Sequence, residues 1–521
     1  MISGGSRPGL ATLSERRARM SGDSVAMIYR ETELSYREVH NRVLVRAAQL
    51  ARSGVCLGDR VAYLGPNHPA LIETMLAVVR LGAIFLPLNH RLSAPELDYQ
   101  LADAGAAVLI VAPESRSTAA ALEAGATLVE DLVWTPEPTE ALDDPAPAAE
   151  VGGADPAFVL YTSGTTGHPK GAVLTHENLV WNSVNMLLDL DIASDEVALV
   201  SAPLFHVAAL DQLVLTVFLK GGTSVITPKW DVDVALDLVE RHRITWMFGV
   251  TTMYADLAHS PRWASADLSS IRSVMSGGAP IPVHLIDTYR EKGVTFCQGY
   301  GLTETAPGAT FLAPGDAVRK AGSAGQQVMF DEVKIVDETG AECPRGTAGE
   351  VIIRGPNVTP GYWRNDAATA AAFAEGGWFH SGDIAYMDDD GFIFIVDRMK
   401  DMYISGGENV YPAEVEGVLF RHPDVLEAAV VGAPDNRWGE VGHAYVVARE
   451  GSGLDRDGLL AFAAEQLARY KVPKLVSFVS ALPRTGSGKV RKQDLRIGTS
   501  LGAHSDSERQ ISTDQQGEEL K

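Results

Sequence analysis

The sequence predicts an α/β protein: a large N-terminal region of βα-layered sheets, a small antiparallel β unit after it, and a small α/β unit towards the C-terminal end. Three observations carry this. From residue 24 to about 305, short apolar runs alternate with amphipathic helical stretches, the pattern of mainly parallel sheets covered by helices. Between Glu332 and Arg354 the pattern changes to strand-like segments without intervening helices. After Lys400, one helical stretch and two apolar strands follow in quick succession.

The elements can be justified in chain order. Ser35 to Ser53 reads as an amphipathic helix, because Val39, Val43, Ala47 and Leu50 recur on one face. Arg60–Gly65 and Ala106–Ala112 are short continuous apolar runs, as expected of strands buried on both faces. The Pro-, Ala- and acid-rich stretch from Trp134 to Asp155 reads as a surface connection. Ala157–Thr162 is a buried strand that runs straight into a Gly/Thr-rich loop. Val333–Val336 and Glu350–Arg354 are strands of the antiparallel unit. Asp390-Gly391, between apolar segments, signals a hairpin turn, so the aspartates at 388–390 read as a solvated turn rather than a metal site. Pro412–Arg421 is helical, and Leu426–Val431 and His443–Val447 are strands. The polar stretch 498–521 is too poor in apolar residues to pack and is expected to be disordered.

Composition narrows the function. The chain has 521 residues, 46% hydrophobic and 21% charged, with a net charge of −23. That charge disfavours non-specific binding to nucleic acid or to an anionic membrane, but not a nucleotide substrate, which needs only local positive charge. Cys56, Cys297 and Cys343 are odd in number and lack metal-ligand spacing, so a reducing compartment is expected. No apolar run approaches the ~18 residues that span a bilayer, and the first twenty residues lack the apolar core of a signal peptide. The cytoplasm is the expected location. A homodimer is compatible with the sequence but not legible in it.

The strongest chemical signal is Tyr161-Thr-Ser-Gly-Thr-Thr-Gly-His-Pro-Lys-Gly171. Gly164 and Gly167 let successive N–H groups turn inward towards an anion. Thr162, Ser163, Thr165 and Thr166 add hydroxyl donors, and Lys170 adds charge. It is not a Walker A loop, because Gly171 stands where Ser or Thr would hold Mg²⁺. Further candidates are Ser276-Gly-Gly-Ala-Pro280, Gln298-Gly-Tyr-Gly-Leu-Thr-Glu-Thr305, Trp378-Phe-His-Ser-Gly-Asp-Ile384, Asp397-Arg-Met-Lys-Asp401 with Ser405-Gly-Gly-Glu-Asn-Val-Tyr-Pro412, and Pro483-Arg-Thr-Gly-Ser-Gly-Lys-Val-Arg-Lys492. From Arg469 to Lys492 there are seven Lys or Arg and no Asp or Glu, a local reversal that a nucleotide phosphate would explain.

Together these motifs, in this order, resemble the adenylate-forming superfamily of acyl-CoA synthetases, peptide-synthetase adenylation domains and firefly-type luciferases. The resemblance implies an N-terminal domain over 1–398, which includes a barrel-like antiparallel unit, and a mobile α+β domain over 399–497, joined at a hinge on Lys400. It implies ATP, Mg²⁺ and coenzyme A as cofactors and cosubstrates. Residues 162–167 and Lys170 would bind phosphate. Gly278, Ala279 and Pro280 would line the adenine and acyl pockets, and Gly299, Tyr300 and Gly301 would place the adenine. Thr303 would touch the α-phosphate, and Thr162 and Glu304 would hold Mg²⁺. Asp383 and Arg398 would face the ribose, the glycine before Asp383 permitting close approach. Gly406 and Gly407 would line the thiol tunnel, and Lys489 would be the catalytic lysine. His206 would gate the acyl tunnel.

The implied reaction is ATP-dependent activation of a carboxylic acid as an acyl-adenylate, then transfer to a thiol. Small or apolar residues at 248–252, Gly277, Ala306 and Pro307 are expected in the acyl pocket, with no cation placed for a second carboxylate. A medium-to-long-chain fatty acid is the first expectation and an aryl acid the second. Coenzyme A is the expected thiol, with an acyl carrier protein as the alternative. A nucleotide sensor without catalysis, or a luciferase-like oxygenase, fits less well, because Lys489, Glu304 and Asp383 are all present and nothing points to oxygen chemistry.

Overall fold

The computed structural model describes residues 9–123, 128–142, 145–162, 169–278, 281, 283–398, 401–405, 408–435, 438–467, 469–484 and 489–496. By packing, the chain falls into two units: residues 1–334, 352–381 and 391–393, and residues 335–351, 382–390 and 394–521.

The first unit is built on two sheets. One has six strands in the order Leu128–Asp131, Val108–Val111, Arg60–Leu64, Ile84–Leu88, Pro156–Thr162 and Lys170–Thr175. All its pairings are parallel except the last, a hairpin. The other has nine strands, with Val197–Val200, Trp246–Gly249, Ser273–Gly277 and Thr295–Tyr300 side by side and parallel at its centre. The main core lies between the sheets and joins Val61, Tyr63, Phe85 and Phe158 of the first to Ala198, Val200, Met275 and Cys297 of the second. Helix Pro69–Arg80 is buried along its whole length there. That fits a sequence that is apolar apart from Glu73, Thr74 and Arg80.

The helix expected at 35–53 spans Tyr36–Arg52 and starts where its sequence says it should. The Ser35 hydroxyl accepts the Glu38 amide at 3.1 Å, and Val39, Val43, Ala47 and Leu50 are buried. The 134–155 connection lies on the surface but is fastened to it. Trp134 donates its indole N–H to the buried Glu73 at 3.0 Å, and Arg42 donates to the carbonyls of Thr135 and Glu137.

A third sheet, curled and antiparallel, holds Glu332–Val336, Gly349–Arg354, Trp378–Met387, Phe373–Ala374 and Ile393–Arg398. The 388–390 aspartates make the turn expected of them, Asp388 accepting the Asp390 amide at 3.0 Å. The second unit carries a sheet of Tyr403–Ser405, Glu408–Val410, Val425–Asp435, Gly439–Ala448 and Leu475–Phe478, with helices Pro412–Leu419 and Arg456–Ala464 packed on a core of Tyr403, Val430, Val446 and Leu459. Among the described residues no helix is long and apolar enough to cross a membrane. The stretch 498–521 lies outside the described residues.

One buried acid makes stability depend on pH. Asp331 is 2% exposed, and burial pushes its carboxyl up to about 8, only partly offset by Asn357. The folded state therefore holds a proton that the unfolded chain releases near pH 4. The stabilisation is full below pH 4 and is lost as pH rises through 8. Replacing Asp331 with Asn is expected to raise the unfolding midpoint relative to wild type by about 2 °C or more at pH 8, with the gap closing towards pH 5. Thermal melts from pH 5 to 9 test this, and parallel curves for the two proteins would refute it.

Candidate active site

The described ends of the phosphate-loop motif lie on two paired antiparallel strands. Thr162 ends one strand opposite Lys170, which begins the next, and the Thr162 hydroxyl approaches the Lys170 carbonyl at 3.5 Å. Ser163, Gly164, Thr165, Thr166 and Gly167 lie outside the described residues. The hairpin base is anchored by Tyr161, whose phenol donates to Asp103 at 2.6 Å.

Lys170 and Glu304 meet on one ring. The Lys170 ammonium lies 5.4 Å from the centre of the Tyr362 ring, and the Tyr362 hydroxyl donates to Glu304 Oε1 at 2.9 Å. Burial first, and the adjacent carboxylate second, raise the Tyr362 pKa, so it remains a donor at any working pH. Glu304 is 7% exposed and sits in the short 3₁₀ turn Thr303–Thr305, beside Thr303. The segment 357–363 locks this turn to the phosphate hairpin. The Thr359 amide donates to the Glu304 carbonyl at 2.7 Å, the Thr359 hydroxyl donates to the Val173 carbonyl, and the Trp363 amide donates to the Gly171 carbonyl at 2.7 Å. Sequence reading missed Tyr362. Its signal was the Gly361-Tyr362-Trp363 cluster, which has no local periodicity.

Tyr300 ends the strand Thr295–Tyr300, whose Gly299 lies opposite Gly277 on the neighbouring strand. Gly301 must be glycine: a Cβ there would lie 1.7 Å from the Pro307 carbonyl oxygen. Two buried amides shape the loop that follows. Asn182 accepts the Gly308 amide at 3.0 Å, and Asn357 donates to the Thr305 and Gly308 carbonyls. Gly278 adopts a φ of +80°, while Ala279 and Pro280 lie outside the described residues. Cys297, beneath this motif, is buried, and burial pushes its thiol up to about 12, so it is an inert core residue.

His206 lies on the loop before the π-helical segment Ala208–Leu215, its ring 4.6 Å from that of Phe205. Asn67 sets this loop: its side chain donates to the Ala202 carbonyl at 2.9 Å and accepts the Leu204 amide at 2.8 Å.

The second unit holds the remaining candidates. Asp383 is 6% exposed within the strand Trp378–Met387. The glycine before it is explained by backbone rather than by crowding within the fold: Gly382 has a φ of +69°, and a Cβ there would meet nothing within 4 Å. The Gly382 amide donates to Glu350 at 3.0 Å. Arg398 ends the strand Ile393–Arg398. Lys400, Gly406 and Gly407 lie outside the described residues. Lys489 is exposed and adjoins a backbone bridge between Arg484 and Val490. Much of the basic run around it is internally paired: Lys471 with Glu414 and Arg484 with Glu427 at 2.7 Å, and Lys492 with Glu416 at 2.8 Å. Part of the local charge reversal therefore has a structural cause.

Comparison with known proteins identifies the family. The AMP-binding enzyme family model matches residues 14–363, and the AMP-binding enzyme C-terminal domain matches residues 414–489. The chain is 51% identical to a feruloyl-CoA synthase of an Amycolatopsis species, over 94% of this chain and 98% of that protein. It is 38% identical to the long-chain-fatty-acid–CoA ligase FadD13 of Mycobacterium tuberculosis, over 89% and 93%. The ATP-bound crystal structure of MatB from Rhodopseudomonas palustris superposes with a TM-score of 0.87 at 34% identity, covering 94% of this chain and 98% of that one. The chain belongs to the AMP-binding enzyme family, as an AMP-forming acid–CoA ligase.

Proposed function

We propose that the acid is an aryl acid carrying a short unsaturated or saturated side chain, activated by ATP and transferred to coenzyme A. The observation that carries this is likeness: the chain is 51% identical to a feruloyl-CoA synthase over 94% of its length. A Cβ on Gly299 would meet the Met275 methyl at 2.2 Å and the Phe311 ring at 3.1 Å, and both side chains are buried. Met275 and Phe311 therefore pack directly against Gly299, which only a glycine permits. The relative at 51% identity is a feruloyl-CoA synthase, and the fatty-acid ligase stands at 38%, which favours the same reading.

The roles follow from chemistry. A carboxylate attacks the α-phosphorus of ATP and pyrophosphate leaves. The substrate is already ionised, so no general base is needed. Lys170 and Lys489 offset the charge that builds at the phosphates. Glu304 and the Thr162 hydroxyl supply hard oxygens of the kind Mg²⁺ takes together with substrate phosphates, and the ion when bound screens that same charge. Tyr300 stacks on the adenine, Thr303 contacts the α-phosphate, and Asp383 and Arg398 bind the ribose. His206 borders the acyl entrance. Rotation about Lys400 brings Gly406 and Gly407 to the path of the incoming thiol, which attacks the mixed anhydride and releases AMP.

Pyrophosphate release across a panel of acids tests the substrate class. Ferulic and related aryl acids are expected to give kcat/KM about 10²-fold above straight-chain acids of eight to sixteen carbons, a discrimination of the size that differential transition-state binding in a pocket supplies. A preference for the straight chains would overturn the reading.

A further inference from the structure

One side chain touches both charged groups of the candidate phosphate and metal site. The Tyr362 hydroxyl donates to Glu304 Oε1 at 2.9 Å, and the Lys170 ammonium lies 5.4 Å from the centre of the same ring. The backbone of this tyrosine is firmly held. Tyr362 forms an antiparallel bridge with Ala172 of the strand Lys170–Thr175. On either side of that bridge, the Val173 amide donates to the Gly361 carbonyl at 3.0 Å and the Trp363 amide donates to the Gly171 carbonyl at 2.7 Å. The Tyr362 amide itself donates to the Thr369 hydroxyl at 2.9 Å. The phenol therefore reaches Glu304 from a fixed base on the strand that carries Lys170.

That reach matters for a carboxylate in this position. Glu304 is 7% exposed, and a charge so buried is costly unless hydrogen bonds satisfy it. The phenol supplies one such bond. It also fixes the plane of the carboxylate at the end of a flexible side chain, and a cation site works only when its oxygens are held in place by their own partners. The Lys170 contact shows that the same ring lies beside the phosphate motif. We propose that Tyr362 is a positioning residue, whose hydroxyl sets the Glu304 carboxylate to receive the Mg²⁺ that accompanies ATP. This rests on the metal role given to Glu304 above. A phenylalanine at 362 would keep the ring beside Lys170 and leave Glu304 without that bond.

The test measures ATP binding to the full-length protein by calorimetry, with no acid present so that no turnover occurs, in excess Mg²⁺ and in EDTA. The ratio of the two affinities is the gain that the ion provides. Wild type is expected to show a clear gain. Tyr362→Phe should shrink it by about tenfold, the worth of a hydrogen bond to a charged group, with ATP affinity in EDTA unchanged. Replacing Tyr362 with 4-aminophenylalanine restores a donor and should restore most of the gain, which also covers the case in which Tyr362→Phe does not fold. In Glu304→Gln the gain is already reduced, and adding Tyr362→Phe should reduce it by less than about twofold more, because the hydroxyl acts through Glu304. An unchanged gain in Tyr362→Phe, or an equal loss of affinity in Mg²⁺ and in EDTA, would make the hydroxyl merely structural and overturn the proposal. So would a full effect of Tyr362→Phe in the Glu304→Gln background, or a folded 4-aminophenylalanine protein with no recovery. If Glu304→Gln alone keeps the wild-type gain, the metal role of Glu304 falls first, and this proposal with it.

Discussion

Replacing Lys489 with Ala is expected to slow acyl-adenylate formation by about 10²–10³-fold, the usual cost of removing one donor aimed at developing charge. Thioester formation from a synthetic acyl-adenylate should largely survive, because the phosphate–carboxylate chemistry that Lys489 serves is then already complete. The second unit supports a local effect. Lys489 is an exposed residue, and truncating an exposed side chain seldom disturbs a fold. Its removal should leave that unit intact. Pyrophosphate release and thioester formation, measured separately on the same variant, decide the matter. An equal fall in both half-reactions would mean that Lys489 acts by holding the fold or a single shared conformation.

Replacing Glu304 with Gln is expected to cost adenylation about 10²–10³-fold and to raise the Mg²⁺ concentration needed for half-maximal rate. The substitution removes charge without changing shape. The Tyr362 hydroxyl, 2.9 Å from Glu304 Oε1, can donate equally well to an amide oxygen, and the backbone bond from Thr359 to the Glu304 carbonyl is untouched. Folding should therefore be preserved, and a Mg²⁺ titration of pyrophosphate release reads the charge alone. A rate within about threefold of wild type, with unchanged Mg²⁺ dependence, would remove the metal role from Glu304.

Legibility varied with how local the cause was. The Ser35 cap, the helix behind it and the short apolar strands at 60–64 and 108–111 were readable because side-chain periodicity and capping act within a few residues. Thr162, Lys170, Tyr300 and Glu304 were readable as candidates because glycines, hydroxyls and charges cluster along the chain. Tyr362, Asn67, Asn182 and Asn357 were not. Each acts on backbone far away in sequence: Asn67 on residues 202 and 204, Asn182 on residue 308, Asn357 on residues 305 and 308. An isolated asparagine carries no pattern that announces such a partner. The glycine before Asp383 was readable as required, but its reason, a left-handed backbone rather than crowding within the fold, appears only in the folded chain.

The phosphate loop, with which the functional reading began, shows where the line falls. Sequence alone determined that this chain has a βα-layered region, an antiparallel unit and a small C-terminal unit, and that its motifs are those of a carboxylate-activating enzyme. Those properties depend on residue type, spacing and order. The tertiary structure decided that Lys170 and Glu304, 134 positions apart, share the Tyr362 ring, and that Met275 and Phe311 pack directly against Gly299. Long-range contacts come from how separate strands and helices pack, and packing is a property of the whole fold that no local pattern encodes.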